Sequence, residues 1–213
     1  MGDDTGRFDM TAFDAGSIRV LIGLGAVRVR PRMYIGDTED GTGLHNMVLA
    51  TVNYALRERS GRRAACVRVT LDADGSCTVS DDGPGLSGEP RNGGDICELE
   101  AVMTRFDSQD LAGDVGQPEL CVVNALSHCS RIESRSGDKS FDLAFRHGVK
   151  LSPLGVRTIA HESCGTTISF RPSADTFAER RFDGARLKAA LEALSHRSGT
   201  RIELKDARGN AAT

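Results

Sequence analysis

The run Cys66-Val67-Arg68-Val69-Thr70-Leu71, then Asp72-Ala73-Asp74-Gly75-Ser76, then Cys77-Thr78-Val79-Ser80-Asp81-Asp82-Gly83-Pro84-Gly85, decides how this chain folds. Apolar residues alternate at Val67, Val69 and Leu71 and again at Cys77 and Val79, the period of half-buried strands. The Asp/Gly stretch between them predicts a hairpin. The second strand runs straight into Asp81-Asp82-Gly83-Pro84-Gly85, which places an acidic residue at a strand end before Gly-x-Gly. A carboxylate there accepts hydrogen bonds, and glycine backbone lets a flat ring come close, which suits an adenine amine. Taken alone, the motif reads more readily as an acidic structural turn.

Working outward, Leu44 to Arg59 carries Leu44, Met47, Val48, Val52, Ala55 and Leu56 on one helical face. Upstream, Ile18 to Val29 predicts a short helix that must end before Pro31. Arg32 to Asp37 is expected to be extended, and Gly41-Thr42-Gly43 to turn the chain. Downstream, Glu98 to Arg105 reads as a short helix, Asp107 to Pro118 as a loop, and Glu119 to Ser127 as a buried helix. Strands are expected around 129–136, 139–146, 155–161 and 166–171, an amphipathic helix over Phe182 to His196, and a last strand over Arg201 to Leu204. Helices gathered before and after antiparallel strands define an α+β class: a two-layer sandwich, with a mixed, mainly antiparallel sheet backed by helices. The expected division is a flexible arm over 1–17, one domain over 18–207, and a disordered tail over 208–213.

Composition narrows the function. Hydrophobic residues make up 39% and charged residues 27% of 213, as in a soluble globular protein. No apolar run spans a bilayer, and the first residues lack the basic and apolar regions of a secretory signal, so the expected location is the cytoplasm. Net charge is −3 with basic residues spread along the chain, which argues against direct contact with nucleic acid. Six cysteines lie far apart with no C-x-x-C pair, as expected of reduced thiols and not of a zinc site or disulfide framework. His128, His147, His161 and His196 have no metal-ligand spacing, and His45 reads as structural.

Several segments occur in a telling order: Ala26-Val27-Arg28-Val29-Arg30-Pro31-Arg32-Met33-Tyr34-Ile35-Gly36-Asp37, Gly41-Thr42-Gly43-Leu44-His45, Met103-Thr104, Val122-Val123-Asn124-Ala125-Leu126-Ser127, and Gly165-Thr166 leading into Phe170-Arg171-Pro172-Ser173. Over about residues 18 to 207 the chain resembles the N-terminal ATPase segment of the gyrase B and topoisomerase IV B proteins, of the GHKL (Bergerat) type. The resemblance implies nucleotide held between a mixed sheet and its helices. It implies that Asp81 accepts the adenine amino group, that Gly85 lies beside the ring, and that the Thr166 hydroxyl reaches the same carboxylate and its water. Leu86 would line the pocket, and Glu58 and Arg135 would form a charged pair at its mouth.

The phosphate half departs from that pattern. Where the family carries a general-base glutamate, an orienting histidine and a magnesium-binding asparagine, this chain has Ala50, Asn46 and Tyr54. Alanine accepts no proton, and a bulky phenol is a poor substitute for an amide oxygen on Mg²⁺. Arg57 stands where the family places an aspartate. The glycine-rich phosphate cradle corresponds to Asp114-Val115-Gly116-Gln117-Pro118-Glu119, in which Pro118 has no N–H and Glu119 repels phosphate. ATP hydrolysis and productive ATP–Mg binding are therefore not expected, no cofactor is assigned, and a chain ending near the family's first subdomain is not expected to act as a topoisomerase by itself. Two functions remain. One is a pseudo-ATPase that holds an adenine nucleotide or a gyrase-targeting antibiotic as a decoy, resistance factor or regulator. The other is a repurposed enzyme acting on a non-nucleotide substrate, for instance in antibiotic biosynthesis, with Asp81, Tyr54, Arg57 and Glu58 as its acid–base set. Tyr54 either stacks on a ligand or fills the space left by lost phosphates. Ile18 to Ile35 either forms a homodimer arm or covers the sheet.

Overall fold

A computed structural model describes residues 23–57, 64–90, 95–106, 119–160 and 163–210. Six α-helices are described: α1 (Leu24–Val29), α2 (Arg32–Ile35), α3 (Thr42–Ala55), α4 (Glu98–Thr104), α5 (Leu120–Ala125) and α6 (Gly184–Ser198). The strands are β1 (Cys66–Leu71), β2 (Cys77–Asp81), β3 (Ser127–Ser136), β4 (Lys139–Arg146), β5 (Val149–Lys150), β6 (Gly155–Thr158), β7 (Gly165–Pro172) and β8 (Arg201–Asp206). They form one sheet in the order β5-β4-β3-β7-β2-β1-β8, with β6 also on β4. Only β1 and β8 run parallel; the other pairs are antiparallel. The fold is thus a GHKL-like α+β sandwich. No described helix is long and apolar enough to cross a membrane.

Register explains why one sheet face is buried. Leu71, Cys77, Phe170, Ser130 and Phe145 fall in one cross-strand row, and Val69, Val79, Ile168, Ile132 and Leu143 in the next, all buried. Paired residues share a face, so both rows point at the helices. Helix α3 covers the half toward β1 with Leu44, Met47, Val48 and Val52, and α6 with Leu187, Leu191 and Leu194, while Ile168, Ile132, Leu143 and Phe145 pack with Leu99 and Met103 of α4 and Leu120 of α5. The opposite face carries Thr78, Ser169, Arg131 and Arg171, none of them buried.

Local chemistry sets the ends of the elements. The Asp183 carboxylate caps α6 by accepting the Ala185 and Arg186 N–H groups at 2.9 and 3.0 Å, and Gly199 closes it at φ 68°. The segment Arg32 to Asp37, expected to be extended, is instead helical at its start. Proline restricts the residue before it, and Pro31 itself, at φ −58° and ψ −37°, opens α2. The two-residue strand β5 is too short to show a periodic signal. The tail expected from residue 208 begins as a 3₁₀ turn, Arg208–Asn210, with Arg208 bonded to Asp206 and to the Phe182 carbonyl. The arm over 1–17 lies outside the described residues.

Candidate functional site

The last pairing between β2 and β7 sets Ser80 opposite Thr167, and β3 and β7 set Ser134 opposite Thr166. Continuing the register one step, Asp81, Thr166 and Ser134 make a third row on the helix-covered face, at the ends of three central strands. Flanked by Val67 and Phe141, these three central positions are polar where the same positions of the other two rows are almost wholly apolar. All three residues are buried, Asp81 at 8% exposure, Thr166 at 1% and Ser134 at 0%.

Close backbone packing shapes the corner. Gly85 has φ 75°, and a Cβ there would meet the Arg135 carbonyl oxygen at 2.1 Å. Gly165 has φ 137°, and its Cβ would meet the Asp81 carbonyl oxygen at 2.3 Å. Neither position tolerates a side chain. The loop after Asp81 is tied to β3 by Ser134, whose hydroxyl accepts the Leu86 N–H at 2.6 Å and donates to the Leu86 carbonyl at 3.1 Å. Sequence reading missed Ser134, because only the register reveals that it faces Thr166.

The two carboxylates of the motif separate cleanly. Asp81 turns into the row and accepts the Gly83 N–H at 2.8 Å. Asp82 turns away and accepts the Ala65 and Cys66 N–H groups at 2.8 and 3.0 Å, pinning the start of β1. Across the row, the Thr166 Oγ1 has no hydrogen-bond partner among the described residues despite its burial. A buried hydroxyl left unmade costs about 1–3 kcal/mol, so this atom is poised to bond a group entering the corner.

The wall opposite is α3. Ala50 and Tyr54 are both buried on it, at 2% and 9% exposure. Tyr54 joins the apolar cluster of Leu86, Leu99, Met103, Leu120 and Ile168, and the Arg57 guanidinium lies 5.8 Å from its ring centroid. Asn46 donates to the Ile35 carbonyl at 2.9 Å, so its amide is committed to joining α2 and α3. Asp81, Gly85, Leu86 and Thr166 therefore come together, with Tyr54 in the same cluster as Leu86 and Arg57 behind it. Arg135 contributes its carbonyl to the close approach of Gly85, while its side chain is exposed and strand alternation directs it away from the Ser134 face. Glu58 and residues 114–118 lie outside the described residues. Glu119 stands at the N-cap of α5.

Other singled-out residues are structural. His45 Nε2 accepts the Asp183 N–H at 2.9 Å, linking α3 to the start of α6, and burial pushes its pKa down. Asn124 donates to the Met103 carbonyl at 2.7 Å and accepts the Ser130 hydroxyl at 2.6 Å, joining α4, α5 and β3. Cys121 is buried, and burial pushes its thiol up to about 12, which leaves it inert. Among the described residues no group of three or more His, Cys, Asp or Glu side chains is placed to hold a metal ion.

An open, mainly antiparallel sheet with helices on one face and a carboxylate–glycine corner at its central strand ends defines an ATPase-type sandwich. No protein-family model matches the chain. Curated proteins do: it is 37% identical over 211 residues, 95% of its length, to the DNA gyrase B protein of Rickettsia conorii. It is 39% identical over 215 residues, 92% of its length, to the DNA gyrase B protein of Caulobacter vibrioides. The DNA topoisomerase 4 B protein of Mycoplasma genitalium is 33% identical over 191 residues, 86% of the chain. The chain is a homologue of the gyrase B and topoisomerase IV B proteins over this segment. It spans only 26%, 27% and 30% of the lengths of these three relatives.

Proposed function

We propose that this gyrase-B-like domain binds a small molecule at the Asp81–Thr166 corner and does not hydrolyse ATP, acting as a pseudo-ATPase, decoy or regulator. The observation that carries the reading is the Thr166 hydroxyl, buried beside Asp81 and without a partner among the described residues. The ligand has a flat ring with a donor for the carboxylate and an acceptor for the hydroxyl, as in an adenine nucleotide or a gyrase-targeting antibiotic. Ala50 supplies no base to activate water, and Tyr54 fills the space beside Leu86 with an aromatic ring. The burial of Tyr54 in an apolar cluster favours a packing role over acid–base chemistry.

Calorimetric titration with ATP, ADP and novobiocin tests the reading. At least one should bind saturably, and Asp81→Asn should weaken that ligand tenfold or more, the loss expected for a charged acceptor. Absence of heat and of thermal shift with all three would overturn it.

A further inference from the structure

Strand β8 closes one side of the sheet: β1 lies on its inner flank, and among the described residues no strand lies on its outer flank. The Arg201 N–H runs to the Ala65 carbonyl at 3.3 Å and the Ala207 N–H to the Leu71 carbonyl at 2.9 Å, both toward β1. Backbone groups alternate sides along a strand, so Ile202, Leu204 and Asp206 turn their N–H and C=O groups outward. Such a row is a template for one more strand. Beside it, a groove of about 430 Å³ runs between β8 and α6, lined by Ala185, Lys188, Leu191, Glu192, Ile202 and Leu204. An added strand would place alternate side chains against this groove.

We propose that the occupant is the same edge of a second copy of this chain, paired antiparallel about a two-fold axis at Leu204. Charge and paired length together decide the register. Centring the axis on Glu203 sets Glu203 against Glu203 and Arg201 against Lys205, like charges directly opposite, which destabilise a strand pair. Centring it on Ile202 sets Arg201 opposite Glu203, also complementary, but pairs only three residues of the strand. Centring it on Leu204 pairs all of Ile202 to Asp206, sets each Glu203 opposite Lys205 of the other copy twice over, and stacks Leu204 on Leu204 at the groove. Lys205 is exposed and has no ion-pair partner among the described residues, whereas Glu203 sits between Arg68 at 3.3 Å and Arg201 at 2.5 Å. Charged edges discourage indiscriminate strand addition, and of the two registers that their alternation admits the Leu204-centred one pairs five residues against three. The edge shares no residue with the Asp81 corner, so its test stands apart from the ligand reading.

Sedimentation of the full chain, together with Lys205→Glu and the exchange Glu203→Lys/Lys205→Glu, tests the proposal. The chain should dimerise reversibly, Lys205→Glu should weaken association about tenfold, and the double variant should recover most of that loss. Thermal melting checks that each variant is folded. Hydrogen exchange read on the unaltered chain should show the Ile202, Leu204 and Asp206 amides slowing as protein concentration rises. A chain that stays monomeric, a dimer indifferent to Lys205→Glu, a double variant as weak as the single one, or exchange independent of concentration would each overturn it.

Discussion

Thr166 and Gly85 carry the account at the residue scale, because each makes a prediction that a generic core residue would not. Thr166 Oγ1 makes no hydrogen bond to the described residues, so Thr166→Val should leave stability unchanged or raise it by about 1 kcal/mol while weakening ligand binding. Chemical denaturation reads the first effect and calorimetry the second; a loss above about 1 kcal/mol would mean that the hydroxyl is already satisfied. Gly85→Ala should cost about 2 kcal/mol or more, since it adds a Cβ at φ 75° against the Arg135 carbonyl. An unchanged denaturation midpoint would show that the loop after Asp81 does not pack on β3 as described. The separation of Asp81 from Asp82 belongs to this scale too. The motif shows two adjacent carboxylates, and strand alternation sends one into the corner and the other to the start of β1.

At the scale of elements, α3 is tied to α6 through His45, and that tie depends on a neutral imidazole. Nε2 accepts the Asp183 N–H, so protonation removes the acceptor as well as burying a charge. Burial, with the nearby Arg186 guanidinium, holds the folded pKa below the ordinary 6.5, which means the unfolded chain takes up the proton first. The His45 contribution should be present above pH 6.5 and decline as pH falls below it. Melting temperatures measured from mildly alkaline to mildly acidic pH should fall more steeply for the unaltered chain than for His45→Gln; equal slopes would place the pH dependence elsewhere. Asn124 makes a second such tie, and Asn124→Ala should cost about 2 kcal/mol or more by leaving the Met103 carbonyl and Ser130 hydroxyl unpaired in the core. A loss under about 0.5 kcal/mol in urea denaturation would contradict that role. Most elements are readable from the sequence, because alternating runs such as 66–71 and spaced runs such as 44–56 carry their own period. α2 is not, because a proline that ends one helix can also begin the next. The β1–β8 parallel pair and the position of Ser134 are not, because register across distant strands leaves no local pattern.

For the whole molecule, the described fold brings Asp81, Gly85, Leu86 and Thr166 into one corner from two distant segments of the chain, but the Thr166 hydroxyl does not make the bond to the Asp81 carboxylate that the resemblance implied. Sequence placed Ala50 and Tyr54 on the facing helix but left open which way the tyrosine would go. Its burial among Leu86, Met103 and Leu120 supports the packing role proposed above, because a phenyl ring gains more from apolar contact than from water. The resulting claim is a corner that retains recognition chemistry on a wall without hydrolytic groups. Phosphate release from ATP with excess magnesium, measured over hours on the full chain beside Asp81→Asn, tests this claim most directly. The account predicts no release above buffer from either protein; sustained turnover by the unaltered chain that disappears in Asp81→Asn would contradict it.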